Sequence, residues 1–222
     1  MKRIKSKFPL ADIFNFVLGK LSVLKSISEP VTFSSRDNAL SALYEEAYKL
    51  ADTSLDRMQI EAEEVNERYV KLAAFIDSGK MDEVVNDMYN KCLLEMQCCT
   101  MFDYIRLLDT RIQRMQGSDG AKVIKMNFGM AIMALKAGYP IRRKGWNGEG
   151  LMVFKQVPAH IESDVIPKMQ SLPQSAKDLI LKGKGFIDYT SQCLIYNENT
   201  GRADSWVPSI SDVFADDWEI VV

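Results

Sequence analysis

Cationic and aromatic side chains stand close together in one short segment of the sequence. A run of three cations is separated from a tryptophan by a single glycine, as Arg142, Arg143, Lys144 and Trp146. A guanidinium group binds phosphate oxygens through a planar pair of hydrogen bonds, and an indole face stacks on a nucleobase for about 1–3 kcal/mol. This combination predicts a site for a phosphorylated, base-bearing ligand, and Trp206 near Ser209 offers a second set of the same kind.

The same residues also fit a purely structural interpretation. The three tryptophans of the chain are large enough to anchor hydrophobic cores, with the cations as a solvated face: Trp146, Trp206 and Trp218. Side chains alternate between two faces of an extended strand. Arg142 and Lys144 then share one face with Trp146. Arg143 takes the opposite face, so that only some of these groups are expected to reach one ligand.

The sequence offers few groups for catalysis or for metal binding. His160 is the only histidine, which excludes zinc motifs with two histidines and any mechanism with two imidazoles. No nucleophile motif is recognisable. The four cysteines form neither a Cys-x-x-Cys pair nor a disulfide scaffold, which favours reduced thiols in a cytoplasm: Cys92, Cys98, Cys99 and Cys193. We expect no catalytic residue, no metal and no cofactor.

Bulk composition narrows the class of partner. The chain has 222 residues, 47% of them hydrophobic, and a formal net charge of −2. It can therefore bury a core, but it lacks the positive charge that polymeric nucleic acid attracts. The basic N-terminus precedes an apolar stretch, yet Asp12, Asn15 and Lys20 interrupt that stretch. We expect neither a signal peptide nor a membrane partner.

Helical periodicity dominates the first half of the chain. An amphipathic stripe over residues 10–24 ends before Pro30, and residues 40–50 either extend the helix that follows them or form a separate one. Steps of three and four residues from Leu55 to Ile76 define a coiled-coil seam, and a second stripe runs from Val85 to Met115. The break at residues 78–79 predicts that these two helices fold back as an antiparallel hairpin, with the methionines and cysteines of the second stripe in its core.

The period changes toward two in the second half. We predict a helical region over residues 1–116, a linker over residues 117–125 and an α+β domain over residues 126–222. In this domain a helix over residues 128–135 precedes a hairpin that turns at residues 147–150. A helix over 175–181, a strand over 186–196, its return strand over 202–207 and a closing strand over 218–222 complete a small antiparallel sheet. Ser209 and Asp212 form a capping box for a short helix.

Four motifs of the second half occur in a set order, and together they resemble the Thoeris anti-defence family two. They are Met126-Asn127-Phe128-Gly129, then Ala131 with Ala134-Leu135-Lys136-Ala137-Gly138, then Arg143-Lys144-Gly145-Trp146-Asn147-Gly148, and finally Trp206-Val207-Pro208-Ser209 with Asp212, Ala215 and Asp217-Trp218-Glu219. This resemblance implies a phage protein that sequesters cyclic ADP-ribose isomers made by TIR-domain sensors. It also implies homo-oligomers, commonly tetramers, with a pocket shared by two protomers.

The resemblance assigns roles to individual residues. It implies that Phe128 and Trp146 stack on the base and that Arg142 or Arg143 faces the pyrophosphate. It places three further residues around the polar part of the pocket, namely Trp206, Ser209 and Asp212. The remaining expected ligand-binding residues are Gly129, Asn147, Tyr189 and Pro208. Residues 159–184 depart from the shortest family members, which leaves the contribution of that region open.

The leading hypothesis is a phage protein that binds a glycocyclic ADP-ribose type messenger in the cytoplasm of an infected bacterium and breaks no bond. Some relatives also bind cyclic oligonucleotides at a separate site, which the resemblance leaves open here. One alternative is a structural or replication-associated phage protein that docks a partner through its helical arm, and another is a nucleotide-signal hydrolase. Residues 65–72 and 101–112 resemble a helical module of crAss-like phage proteins.

Overall fold

The computed structural model describes residues 12–17 and 35–221. The chain divides into two compact units, residues 1–123 and residues 124–222. Most of the helix predicted over residues 10–24 lies outside the described residues. Residues 12–17 are helical, and Ile13 and Val17 pack in a buried cluster with Tyr44, Ala47 and Ile60.

The N-terminal unit contains four helices within residues 35–123, and the three longer ones begin at side-chain caps. The four are α1 (Arg36–Leu50), α2 (Ser54–Asp77), the short α3 (Lys80–Val84) and α4 (Met88–Met115). Thr53 and Asp56 form a capping box at the start of α2, and the Asp87 carboxylate accepts hydrogen bonds from the first turn of α4. These caps satisfy backbone N–H groups that a helix leaves unpaired at its start.

Helices α2 and α4 form the predicted antiparallel hairpin. Near the start of α2, Met58 packs with Leu108, and further along it Tyr69 packs with Cys98 and Ile105. The paired positions run in opposite directions along the two helices, which confirms the fold-back. Ile105 and Leu108 are each only 1% exposed, so this seam is a true core.

The prediction that the whole second stripe lies in the core is wrong for its first half. Met88 is 76% exposed and Met96 is 60% exposed, and Cys92 and Cys99 are exposed as well. The buried residues of α4 begin only at Cys98. The physical reason is that α2 packs against only one face of α4, and the exposed residues lie on another face.

The C-terminal unit is an α+β domain, as predicted. Helix α5 (Phe128–Lys136) precedes β1 (Ile141–Arg143), β2 (Leu151–Lys155) and β3 (Ala159–Ile161). A 3-10 turn (Ile166–Lys168), α6 (Gln174–Lys182), β4 (Ile187–Tyr189), β5 (Cys193–Asn197) and β6 (Arg202–Ser205) follow. The chain closes with α7 (Ile210–Val213) and β7 (Trp218–Ile220).

Five of the strands form an antiparallel sheet in the order β6-β5-β2-β1-β7. β3 and β4 pair separately as a two-stranded sheet. The single strand predicted over residues 186–196 is therefore wrong, because the chain leaves one sheet after Tyr189 and enters the other at Cys193. The core of this unit contains Ile141, Val153 and Trp218, each at most 1% exposed.

No helix within residues 12–17 and 35–221 is both long enough and apolar enough to cross a membrane.

Shortening Ile105 to alanine tests the hairpin core. The change leaves a cavity between α2 and α4, so we expect the free energy of unfolding to fall by about 2–5 kcal/mol. Chemical denaturation followed by helical circular dichroism measures this loss. Gln97→Ala on the exposed side of the same helix is the control, with an expected change within about 0.5 kcal/mol. Equal losses in both variants would contradict the assignment of the buried face.

Candidate functional site

Trp218, at the start of β7, is the centre of an aromatic cluster in the C-terminal unit. Its side chain is 1% exposed, and its indole Nε1 donates to the backbone oxygen of Asp212 at 3.1 Å. Three aromatic rings surround it, with centroid distances of 5.7 Å for Phe128, 5.5 Å for Trp146 and 6.1 Å for Trp206. Both other indoles meet Trp218 edge-on at 80°, the T-shaped arrangement that aromatic pairs favour.

These rings come from four separate segments. Phe128 begins α5, Trp146 follows β1, and Trp206 follows β6. Strands β6 and β7 lie at opposite edges of the five-stranded sheet, so residues 206–217 must cross from one edge to the other. This crossing brings Trp206 and α7 to Trp218. Phe128, Trp146 and Trp206 are half-buried, so each packs on the cluster and keeps part of its surface accessible.

The carboxylate of Asp212 joins the cluster to its polar surroundings. Its Oδ1 accepts from Trp146 Nε1 at 3.0 Å and from Arg143 Nη1 at 2.9 Å. Its Oδ2 accepts from the Ser209 N–H at 2.9 Å and from Ser209 Oγ at 2.7 Å. A carboxylate has about four acceptor positions. Asp212 thus fills them within its own chain and holds the indole of Trp146 in place.

Arg143 is fixed between two carboxylates. Besides Asp212, its Nε donates to Asp217 Oδ1 at 2.8 Å, and its side chain is only 16% exposed. Asp217 Oδ2 accepts from the Gly145 N–H at 2.7 Å, and a Cβ on Gly145 would lie 2.7 Å from that oxygen. Glycine at position 145 therefore lets Asp217 approach the turn that carries Trp146.

The predicted separation of Arg143 from Trp146 on opposite strand faces is wrong. β1 ends at Arg143, and the Trp146 N–H bonds back to the Arg143 carbonyl across a turn, at 3.5 Å. The chain thus reverses before Trp146, and both side chains reach Asp212. Strand alternation applies only while the backbone stays extended.

Arg142 and Lys144 form a second, more exposed charged group. Both contact Glu219 on the neighbouring strand β7, at 3.3 Å from Arg142 Nε and 2.9 Å from Lys144 Nζ. Their side chains remain 42% and 72% exposed, respectively. These cations keep donors that face solvent. Arg142 pairs with Glu219 one position away from the pair of Arg143 with Trp218, so the contacts with Glu219 lie on the opposite face of the sheet from Trp218.

The acidic groups of the site stay ionised. Burial alone would raise the pKa of Asp212, but hydrogen bonds from Trp146, Ser209 and Arg143 outweigh it and lower that pKa to about 2. The pKa of Asp217 is also lowered, because hydrogen bonds from Arg143 and Gly145 outweigh its burial. Contacts with Lys144 and Arg142 likewise lower the pKa of Glu219 against the effect of burial.

The remaining predicted site residues lie in several different elements of the C-terminal unit. Gly129 is exposed in the first turn of α5, and Asn147 is exposed in the loop between β1 and β2. Pro208 and Ser209 lie on the crossing segment before α7. Tyr189 ends β4 in the two-stranded sheet, so it belongs to a different sheet from Trp218. His160 lies in that same small sheet, with its Nδ1 2.6 Å from an Asp188 oxygen.

Sequence reasoning missed Asp217, Glu219 and the central place of Trp218 as site residues. The signal was present as an acidic residue on each side of Trp218, matching the cations of residues 142–144. Only the register of β1 against β7, which pairs Arg142 with Glu219 and Arg143 with Trp218, brings the two sets together. Within the described residues, no group of three or more histidine, cysteine or acidic side chains could hold a metal ion.

Comparison with known proteins gives this unit a family. A family model described as "Thoeris anti-defense 2-like domain" matches residues 126–221. A relative named "Thoeris anti-defense 2", from Bacillus phage SP01, is 31% identical over 102 residues, which is 44% of this chain and 96% of the relative. The chain belongs to the Thoeris anti-defense 2 family. The family resemblance inferred from the sequence is thereby confirmed.

The Thoeris anti-defense 2 model covers the aromatic cluster and leaves the whole N-terminal unit outside the match. A second family model, described as "Sequestin", matches residues 52–114, which span α2 to α4. The resemblance of this region to a crAss-like phage module stays a prediction. The chain thus joins a Thoeris anti-defense 2 domain to a helical hairpin that matches a different family model.

Replacing Asp212 with asparagine tests the carboxylate's role. The folded-state pKa of Asp212 is about 2, below its ordinary value of 3.8. The Asp212 carboxylate therefore stabilises the fold fully at pH values above 3.8, and this stabilisation is lost as the pH falls toward 2. That shift corresponds to about 2 kcal/mol. We expect Asp212→Asn to lower the free energy of unfolding at pH 7 by about 2–4 kcal/mol and to reduce its decline between pH 4 and pH 2.

Urea unfolding followed by tryptophan fluorescence at several pH values measures both effects. Asp216→Asn is a matched control, because Asp216 lies in the same segment and is exposed. If Asp212→Asn and Asp216→Asn have the same stability and the same pH dependence, the proposed organising role of Asp212 is excluded.

Proposed function

We propose that the C-terminal unit binds a cyclic ADP-ribose type messenger, of which glycocyclic ADP-ribose is the leading candidate, and sequesters it without cleaving it. Free messenger then falls below the level that activates a Thoeris effector in the cytoplasm of the infected cell. The relative's name describes a protein that counters Thoeris defence, and family membership extends this proposal to the present chain. Sequestration acts by mass action and requires no catalytic group.

The observation that carries the proposal is the convergence of Trp146 and Trp206 on Trp218. The two outer indoles are held by a buried one, so their orientation is set before a ligand arrives. A preorganised aromatic surface binds a base with little loss of side-chain freedom. Adenine presents the flat ring that such a surface recognises.

The structure distinguishes the roles of the two arginines. Arg143 is 16% exposed and has carboxylates on both sides, which suits it to holding the turn before Trp146. Arg142 and Lys144 share one carboxylate and keep exposed donors, so we assign the pyrophosphate to them. Asp212 has its acceptor positions filled, so we assign it a positioning role, with Ser209 as its closest polar partner.

Homo-oligomerisation is part of the proposal. On and beside α7, Val207 and Ile210 are each 80% exposed and Phe214 is 82% exposed. Such apolar exposure next to Trp206 is typical of an interaction surface. We propose that a second copy covers this surface and contributes to the pocket, in keeping with the shared pocket that the family resemblance implies.

Removing the Trp206 indole tests the stacking surface. The loss of one base contact is expected to weaken binding of cyclic ADP-ribose isomers by about 10–100-fold, since stacking contributes about 1–3 kcal/mol per base. Titration calorimetry of Trp206→Ala with cyclic ADP-ribose and its glycocyclic isomers gives the affinities. Phe186→Ala, which removes a partly exposed ring just before β4, is the control and should bind as the unaltered protein does.

Recovery of the ligand separates sequestration from hydrolysis. We expect a mixture of protein and excess messenger to retain a fixed amount of nucleotide per protomer, and heating to release that nucleotide unchanged. Chromatography of the released material against the starting isomer measures this. Conversion that continues beyond one equivalent per site would show the hydrolase alternative to be correct.

A further inference from the structure

Helix α4 carries a second apolar face that the hairpin does not use. Four exposed side chains repeat along it at steps of three, four and three residues: Tyr89, Cys92, Met96 and Cys99. At about 100° per residue, these side chains lie opposite the face formed by Cys98, Ile105 and Leu108, which packs in the hairpin. We call the four exposed residues the outer seam.

The outer seam has the features of a coiled-coil contact. It is uncharged, it alternates small cysteine with larger tyrosine and methionine, and Tyr89 is 70% exposed while Met96 is 60% exposed. An interval of 3.5 residues keeps such a stripe facing a partner helix along its length. The register of the hairpin also places the first turns of α4 near or beyond the end of α2 at Asp77, where helical structure gains little from that neighbour.

From these observations we infer that the outer seam pairs with the same seam of a second copy of this chain, with the two helices parallel and in register. This interface lies in the N-terminal unit and goes beyond the proposed messenger binding. It requires no ligand. It gives the hairpin a role of its own, the association of two chains.

The residues that flank the outer seam favour a second copy in the parallel orientation. In a parallel pair, the residue just before Tyr89 and the residue just before Met96 each face the residue five positions later on the partner. Met88 then meets Leu93 of the other copy, and these are the two exposed apolar flanking residues, at 76% and 42%. Glu95 meets Thr100 of the other copy, so that no like charges face each other.

An antiparallel pair fits these flanks less well. Antiparallel pairing of the same four layers brings Glu95 toward Glu95 of the other copy. Like charges that face each other destabilise a pair of helices. The parallel arrangement therefore avoids a like-charge contact that the antiparallel one makes.

The small size of the outer seam determines which measurement can detect the pairing. Two heptads cover less than the roughly 800 Å² per partner that stable complexes bury, so we expect reversible pairing, which covalent trapping detects. Cys92 would face Cys92 of the other copy in a parallel pair, close enough for a disulfide after small adjustments. The buried Cys98 is kept in every variant to leave the hairpin core intact.

The experiment is mild oxidation of the full chain followed by non-reducing electrophoresis. The variant Cys99→Ser with Cys193→Ser, which retains Cys92, is expected to form a covalent dimer, whereas Cys92→Ser with Cys99→Ser, which retains Cys193, is not. Adding Met96→Glu to the first variant places a charge in the seam and should reduce dimer formation by about tenfold or more. Circular dichroism confirms that each variant keeps its helices.

A variant with Cys92 that stays monomeric under these conditions overturns the inference, whether the seam is free, antiparallel or covered by another protein. A dimer that forms equally well with Met96→Glu overturns it too, because the contact then lies elsewhere. Messenger binding, measured in parallel on the same variants, reports separately on the C-terminal unit, since all these changes except Cys193→Ser lie in the N-terminal unit.

Discussion

The C-terminal unit depends on one buried carboxylate. Asp212 is 6% exposed, and it accepts hydrogen bonds from the indole of Trp146, the guanidinium of Arg143 and both polar groups of Ser209. A buried charge is costly unless such partners surround it. The segment that crosses the sheet, the turn after β1 and the start of α7 are thus tied to a single point, and the accessible faces of the indoles acquire a fixed orientation.

This constraint divides the cations of the site into two kinds. Arg143 completes the shell around Asp212 and Asp217, and its charge is neutralised inside the protein. Arg142 and Lys144 share Glu219 at the surface, where water can replace either contact and a ligand phosphate can do the same. The exposed pair is therefore the one we propose for contact with an anionic ligand, while Arg143 maintains the shape of the aromatic surface.

Much of the fold could be predicted from the sequence, because local patterns determine it. Periodicity located α2, α4 and α5, and the Asn-Gly turn and capping box located a hairpin and α7. The composition of the site was predictable through Trp146 and Trp206, but its organisation was not. The contacts of Arg143 with Asp217 and of Arg142 with Glu219 join residues 74 and 77 positions apart, and only strand register determines them. Helical periodicity also cannot tell which of two apolar faces a neighbour will cover, which is why the exposed half of α4 was assigned to the core.

Binding of the messenger at the aromatic cluster can be tested by two-dimensional NMR, which follows the indole N–H signals of the protein during titration with cyclic ADP-ribose isomers. The chain has three tryptophans, Trp146, Trp206 and Trp218, and all of them belong to the aromatic cluster. We expect the signals of Trp146 and Trp206 to shift on saturation with one of these isomers, with a smaller shift for the buried Trp218. If all three signals stay unchanged while calorimetry detects a bound isomer, the ligand binds elsewhere and the aromatic cluster is not its site.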